Sequence, residues 1–103
     1  MHSLDRRIHA RYKFRCEVEI RLNGRPAMRG ILGDLSVGGC YVETIAPQPT
    51  GTPLELYLLT KGGELQVGGV VRHAQPAMGM GVEFVDLKPE KLAVINELMP
   101  REV

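Results

Sequence analysis

Phe14-Arg15-Cys16-Glu17-Val18-Glu19-Ile20-Arg21-Leu22-Asn23-Gly24 is the stretch that decides the fold. Phe14, Cys16, Val18, Ile20 and Leu22 fall on one side of an extended chain, and Arg15, Glu17, Glu19 and Arg21 on the other. Side chains alternate with period two along a strand, so this is a half-buried strand with one dry and one wet face. Asn23-Gly24 ends it with a hairpin signal, because both residues tolerate positive φ. The pattern then repeats. Residues 27–35 read as the returning strand through Met28, Ile31 and Leu32, with Gly30 and Gly33 marking a bulge or tight curvature. After a break at residues 34–39, residues 40–45 resume the alternation. A proline-rich loop over 47–53 leads to a strand over 54–60, and Gly62-Gly63 turns it into a longer strand over 65–74. Gly68-Gly69 allows that strand to bend, and after Gln75-Pro76-Ala77 a sixth strand covers 79–85.

The end differs in kind. Leu92, Ile95 and Leu98 or Met99 recur at helical spacing behind Pro89, which suits a first helical position; Asp86 is the expected cap and Pro100 the stop. Six short strands with glycine-marked corners and one terminal helix predict an all-β, six-stranded antiparallel β-barrel, plugged or flanked by a short C-terminal helix. The expected division of this single domain is a flexible basic arm over 1–13, the barrel over 14–86 and the helix over 87–100.

Composition agrees with one ordinary globular domain: 103 residues, 44% hydrophobic and 24% charged. The longest apolar stretch, residues 54–59, is broken by Glu55, so no membrane span is expected. The N-terminal charges have no apolar run behind them, which excludes the usual secretory signal and leads us to expect a cytoplasmic protein. Cys16 and Cys40 are read as two reduced thiols, with a structural disulfide as the alternative. The net charge of +1 hides an asymmetry. Residues 1–30 carry eight Lys or Arg against three Asp or Glu, while residues 31–103 carry five against nine. A basic front end on a mildly acidic body points to an anionic partner. The segment from Asp5 to Arg11 has no apolar period, so it has little to bury and is expected to be loosely held without a ligand.

Two short motifs carry the chemistry: Arg7-x-x-x-Arg11 in the arm and Asp34-x-Ser36-x-x-Gly39 at the strand break. In isolation the first is a common spacing in basic segments, and the second is usually a local side-chain-to-backbone turn. In this order, on a six-stranded barrel pattern, they resemble the PilZ domain, the bacterial receptor module for cyclic di-GMP. The resemblance rests on Arg6-Arg7-x-x-x-Arg11, Asp34-x-Ser36-x-x-Gly39 and the closing strand Gly79-Met80-Gly81-Val82-Glu83-Phe84. It implies a non-enzymatic receptor that binds cyclic di-GMP through Arg6, Arg7, Arg11, Asp34, Ser36, Gly38 and Gly39. It also implies that the arm wraps over the ligand, and that Arg6, directly before the spaced pair, accompanies binding of two mutually stacked ligand molecules.

The residue types suit that ligand. Guanine presents O6 and N7 as paired acceptors, which the guanidinium fork meets bidentately and whose ring it can stack upon. The other guanine edge offers donors that Asp34 can accept. Ser36 can donate to a phosphate or base oxygen, and Gly39 with Gly38 would let backbone amides approach without a Cβ in the way.

With no output domain evident, the expected effect is exerted in trans on an effector protein, by a monomer or weak homodimer. The alternatives are a PilZ-like interaction module without a working nucleotide site, and a barrel that clamps nucleic acid. The second is disfavoured by only Tyr12, Phe14, Tyr41, Tyr57 and Phe84 as stacking groups, with no Trp. His2, His9, His73 and the cysteines have no zinc spacing, so no metal or other cofactor is expected. A Ser36–His73–Asp34 triad lacks the glycine-flanked serine elbow, and an enzyme reading is rejected. His73 is read as an outward polar residue, and Met78 and Met80 as core or rim packing.

Overall fold

The structure, a computed structural model, describes residues 11–99. Its strands are β1 (Tyr12–Arg21), β2 (Met28–Leu35), β3 (Gly39–Glu43), β4 (Pro53–Thr60), β5 (Gly63–Gln75) and β6 (Gly79–Val85), followed by the helix α1 (Pro89–Leu98). All neighbouring strands are antiparallel, and the order β1-β2-β3-β6-β5-β4 closes on itself as a barrel through the β1–β4 pair. Among the described residues, closure leaves no sheet edge to pair with another chain. The expected six-stranded antiparallel barrel with a short C-terminal helix is therefore what the chain forms.

The alternation in β1 does what its pattern promised. Val18 and Ile20 are fully buried and join Leu32, Val42, Leu56, Leu58 and Met80 in the core. Cys40 is buried in that core and Cys16 is half-buried; both are free thiols. Burial pushes the Cys40 thiol far above its ordinary value, and partial burial raises Cys16 as well, because a thiolate loses hydration at either position.

Several local expectations change. Only Gly24 takes positive φ in the first turn; Arg25 N donates to Leu22 O at 3.1 Å, and β2 does not begin until Met28, so the link is longer than a two-residue hairpin. The register jump between Leu32 and Asp34 confirms a bulge at Gly33. In β5 a further jump lies between Val71 and His73, while Gly68 and Gly69 keep regular register with both neighbouring strands. Met80 is core as expected, whereas Met78 is 63% exposed on the β5–β6 turn. The strand also begins earlier than the division at residue 13 assumed, since Tyr12 and Lys13 pair with Leu35 and Asp34. The rest of the arm, including His9, and Pro100 lie outside the described residues.

Asp86 does not cap α1. It sits at φ 52°, turning the chain out of β6, and Lys88 is the N-cap, with extended backbone and no side-chain cap bond. Pro89 stands in the first turn, where its missing N–H has no partner to lose. A ten-residue helix is marginal alone, and docking supplies the remainder. Ile95 is fully buried in the core, Leu98 and Met99 pack beside it, and Lys91 Nζ donates to Gln66 O at 2.6 Å. Among the described residues, no helix is long and apolar enough to cross a membrane.

Candidate functional site

The turn between β2 and β3 is built by Ser36. Its Oγ donates to Gly39 O at 3.2 Å and accepts from the amides of Gly38 and Gly39 at 3.2 and 3.1 Å, while Ser36 N donates to Gly39 O at 2.8 Å. One donor and two acceptor sites are all a hydroxyl has. Ser36 is thus satisfied within the turn, and only 3% of it is exposed. The Gly38 and Gly39 amides likewise point at Ser36 rather than outward. Gly39 has its own reason: an added Cβ would run into the carbonyl oxygen of Val82 on β6. Phe84 N donates to Gly38 O at 2.9 Å and ties the turn to the same strand. The expectation that Ser36 donates to a ligand and that the glycines free their amides for it is met here by a different geometry. In this conformation, these three residues shape the turn.

Arg11 and Asp34 carry the exposed chemistry. Pairing of Tyr12 with Leu35 and of Lys13 with Asp34 brings the start of β1 beside the end of β2. Arg11 Nη1 donates to Asp34 Oδ1 at 2.5 Å, with 54% and 30% of the two side chains exposed. An exposed pair of this kind is worth about 0.2–1 kcal/mol, little enough for a ligand to replace either partner. Arg6 and Arg7 lie outside the described residues.

A cavity of about 460 Å³ opens between Arg11, the 36–39 turn and a wall formed by β5 and β6. That volume is in the range of small-molecule sites, about 300–1,000 Å³. Arg11, Ser36, Gly38 and Gly39 line it together, and Asp34 is bonded to Arg11 at its rim. The rest of the lining comes from β5 and β6, outside the two motifs that carry the chemistry: Arg72 and His73, with Gly81, Val82 and Glu83 of the closing strand. Arg72 is the residue skipped in the β5–β6 register, and its Nε donates to Glu83 Oε1 at 2.5 Å. A signal for this was present. Arg72-His73 puts two polar residues in succession into an alternating strand, and both are exposed, which is the mark of a bulge. His73 is outward-facing as expected, but it faces the cavity.

The surface charge is more balanced than the front-end count suggested. Arg15 meets Glu43 through two bonds of 3.0 and 3.1 Å, Arg21 meets Glu19 at 3.0 Å and Arg29 meets Glu17 at 3.1 Å. The Arg15 bond holds the Glu43 carboxyl below its usual range and raises Arg15 in turn. Among the described residues, no three His, Cys, Asp or Glu side chains come together as a metal site.

Comparison with the curated proteins gives no match. Among solved structures, the chain is similar to the PilZ domain with c-di-GMP of YcgR from Escherichia coli, with a TM-score of 0.79 at 14% identity, covering 91% of this chain and 88% of that one. It is also similar to the PilZ domain of CeSA from a cellulose-synthesizing bacterium, with a TM-score of 0.71 at 22% identity over 87% of this chain and 94% of that one. The Bacillus subtilis inhibitor of motility (MotI/DgrA) gives a TM-score of 0.74 at 17% identity over 89% of this chain, which spans 48% of that protein. At these identities the likeness establishes the shared barrel. The family model described as PilZ domain matches residues 5–99, from the basic segment through the 34–39 turn to the terminal helix, and this chain belongs to that family.

Proposed function

We propose that this protein is a cyclic di-GMP receptor that binds the dinucleotide in the cavity between Arg11, the 36–39 turn and the β5–β6 wall. The observation that carries the reading is the convergence of Arg11, Ser36, Gly38 and Gly39 on one cavity, with Asp34 bonded to Arg11. Solved relatives described as complexes with c-di-GMP, from YcgR of E. coli and PlzA of Borreliella burgdorferi, support the choice of ligand. Arg7 and Arg11 supply guanidinium forks for guanine and charge for the phosphates. Asp34 accepts from a guanine donor edge once Arg11 turns to the ligand. Ser36, Gly38 and Gly39 hold the turn that presents Asp34. Arg6 accompanies a second, stacked ligand molecule, the N-terminal arm orders over the bound nucleotide, and the ordered form signals to an effector protein in trans without catalysis.

The nucleic-acid alternative loses support from the aromatic residues. Phe84 is buried, Tyr57 lies under the Arg21 guanidinium at 4.2 Å, and the Tyr41 hydroxyl is bonded to Gln75. No row of free rings is left on the described strands for successive bases. Calorimetry with cyclic di-GMP, GMP and short single-stranded DNA tests the reading. Heat is expected for the cyclic dinucleotide alone, abolished by Arg7→Ala or Arg11→Ala, with two ligands per chain if Arg6 has its assigned role. Tight DNA binding with steep salt dependence, or no heat at all, overturns it.

A further inference from the structure

We propose that Arg72, steered by Glu83 and given room by Gly81, reads the O6/N7 edge of one guanine, so that base recognition is divided between the N-terminal arginines and the β5–β6 wall. This rests on the cyclic di-GMP reading of the same cavity and adds a contact outside both sequence motifs.

Three observations converge. The bulge between Val71 and His73 takes Arg72 out of the ladder, and its side chain, 60% exposed, lines the same cavity as Arg11. Among the described residues, Arg72 is engaged only through Nε, by Glu83 at 2.5 Å. A guanidinium has five N–H donors in a rigid fork, so the terminal nitrogens can serve a ligand while Nε stays on the carboxylate.

Gly81 supplies the third. Its φ is not positive, and an added Cβ would meet nothing closer than His73 Cβ at 3.6 Å, an ordinary contact. At Gly39, by contrast, the same addition would collide with strand backbone. The barrel does not require glycine at 81, and the missing side chain leaves the cavity open beside His73, the chain neighbour of Arg72.

Charge selects which part of the ligand meets this wall. Arg72 is already balanced by Glu83, and a phosphate placed here would face that carboxylate. A neutral base with two in-plane acceptors suits the pair better.

The test is a calorimetric titration of the full chain with cyclic di-GMP and with its 7-deaza analogue, which has carbon in place of N7, at two salt concentrations. Arg72→Ala should weaken cyclic di-GMP binding by about tenfold to a hundredfold, the loss of one bidentate base contact. It should also shrink the penalty for the 7-deaza analogue and leave the salt dependence as in the wild type, because no phosphate contact is lost. Arg72→Lys should not restore binding. Gly81→Ala should weaken binding severalfold with an unchanged melting temperature, and it decides the matter if Arg72→Ala does not fold.

Wild-type affinity in Arg72→Ala, an unchanged 7-deaza penalty, or a salt slope shallower by about one overturns the assignment. So does wild-type affinity in Gly81→Ala. If the wild type binds and Arg11→Ala does not, while Arg72→Ala behaves as wild type, this inference alone fails. If the wild type gives no heat, it falls together with the receptor reading.

Discussion

A single methyl group at Gly39 would land on the carbonyl of Val82, and neither backbone can retreat without breaking the β3–β6 ladder. Gly39→Ala is therefore expected to destabilise the fold by about 1–3 kcal/mol, read as a lower urea midpoint at constant m-value. The motif glycine and serine are legible in the sequence as a pair, but not in their roles. Ser36 could be a ligand donor or a turn staple on paper, and only its three filled hydrogen-bonding sites settle how it is used in this conformation. Cys40 adds a pH dependence. Its native thiol ionises far above the unfolded value of about 8.5, so its contribution to stability is whole below that pH. The contribution is lost progressively as pH climbs from there toward the raised native value. Denaturant melts of the wild type and Cys40→Ala between about pH 7 and 10 check this: the alkaline loss should be smaller in the variant.

Alternation marks β1 and most of the other strands, and the reading of β6 over 79–85 coincides with its ends, because period two survives wherever one face is buried and the other wet. β2, interrupted by its bulge, is marked by apolar content and glycines instead. The bulges are not all marked in the same way. Gly33 announced one, whereas the bulge at Arg72 carries no glycine and is marked instead by two polar residues in succession. Helix α1 was found from its apolar spacing, while its cap was misplaced because Asp86 is consumed in leaving β6 at positive φ. The helix depends on one buried side chain more than on its own sequence, since Lys88 contributes no cap bond. Ile95→Ala should cost about 2–5 kcal/mol if the helix stays docked. Undocking instead limits the loss to the helix, and amide exchange distinguishes the two. We expect the amides of 91–98 to lose protection while those of β4 and β5 keep theirs.

At the scale of the whole molecule, closure through β1 and β4 makes the barrel one cooperative body, with the cavity beside its β2–β3 turn. A ligand that binds only this folded form stabilises all of it. At a hundredfold excess over Kd the gain is about 2.7 kcal/mol. For a domain near this size it corresponds to a melting-temperature rise of roughly 10–20 °C with cyclic di-GMP, absent in Arg11→Ala. A rise with GMP of the same size would count against recognition of the dinucleotide. What the residues alone determined was the strand pattern, the terminal helix and the two motifs, since these are local matters of periodicity, turn chemistry and spacing. What tertiary structure decided was which groups share a cavity. Arg11 meets Asp34 across 23 positions of chain, and Arg72 and Glu83 join them only because β5 and β6 form the facing wall. Such meetings depend on strand order and register, and no local pattern encodes either one.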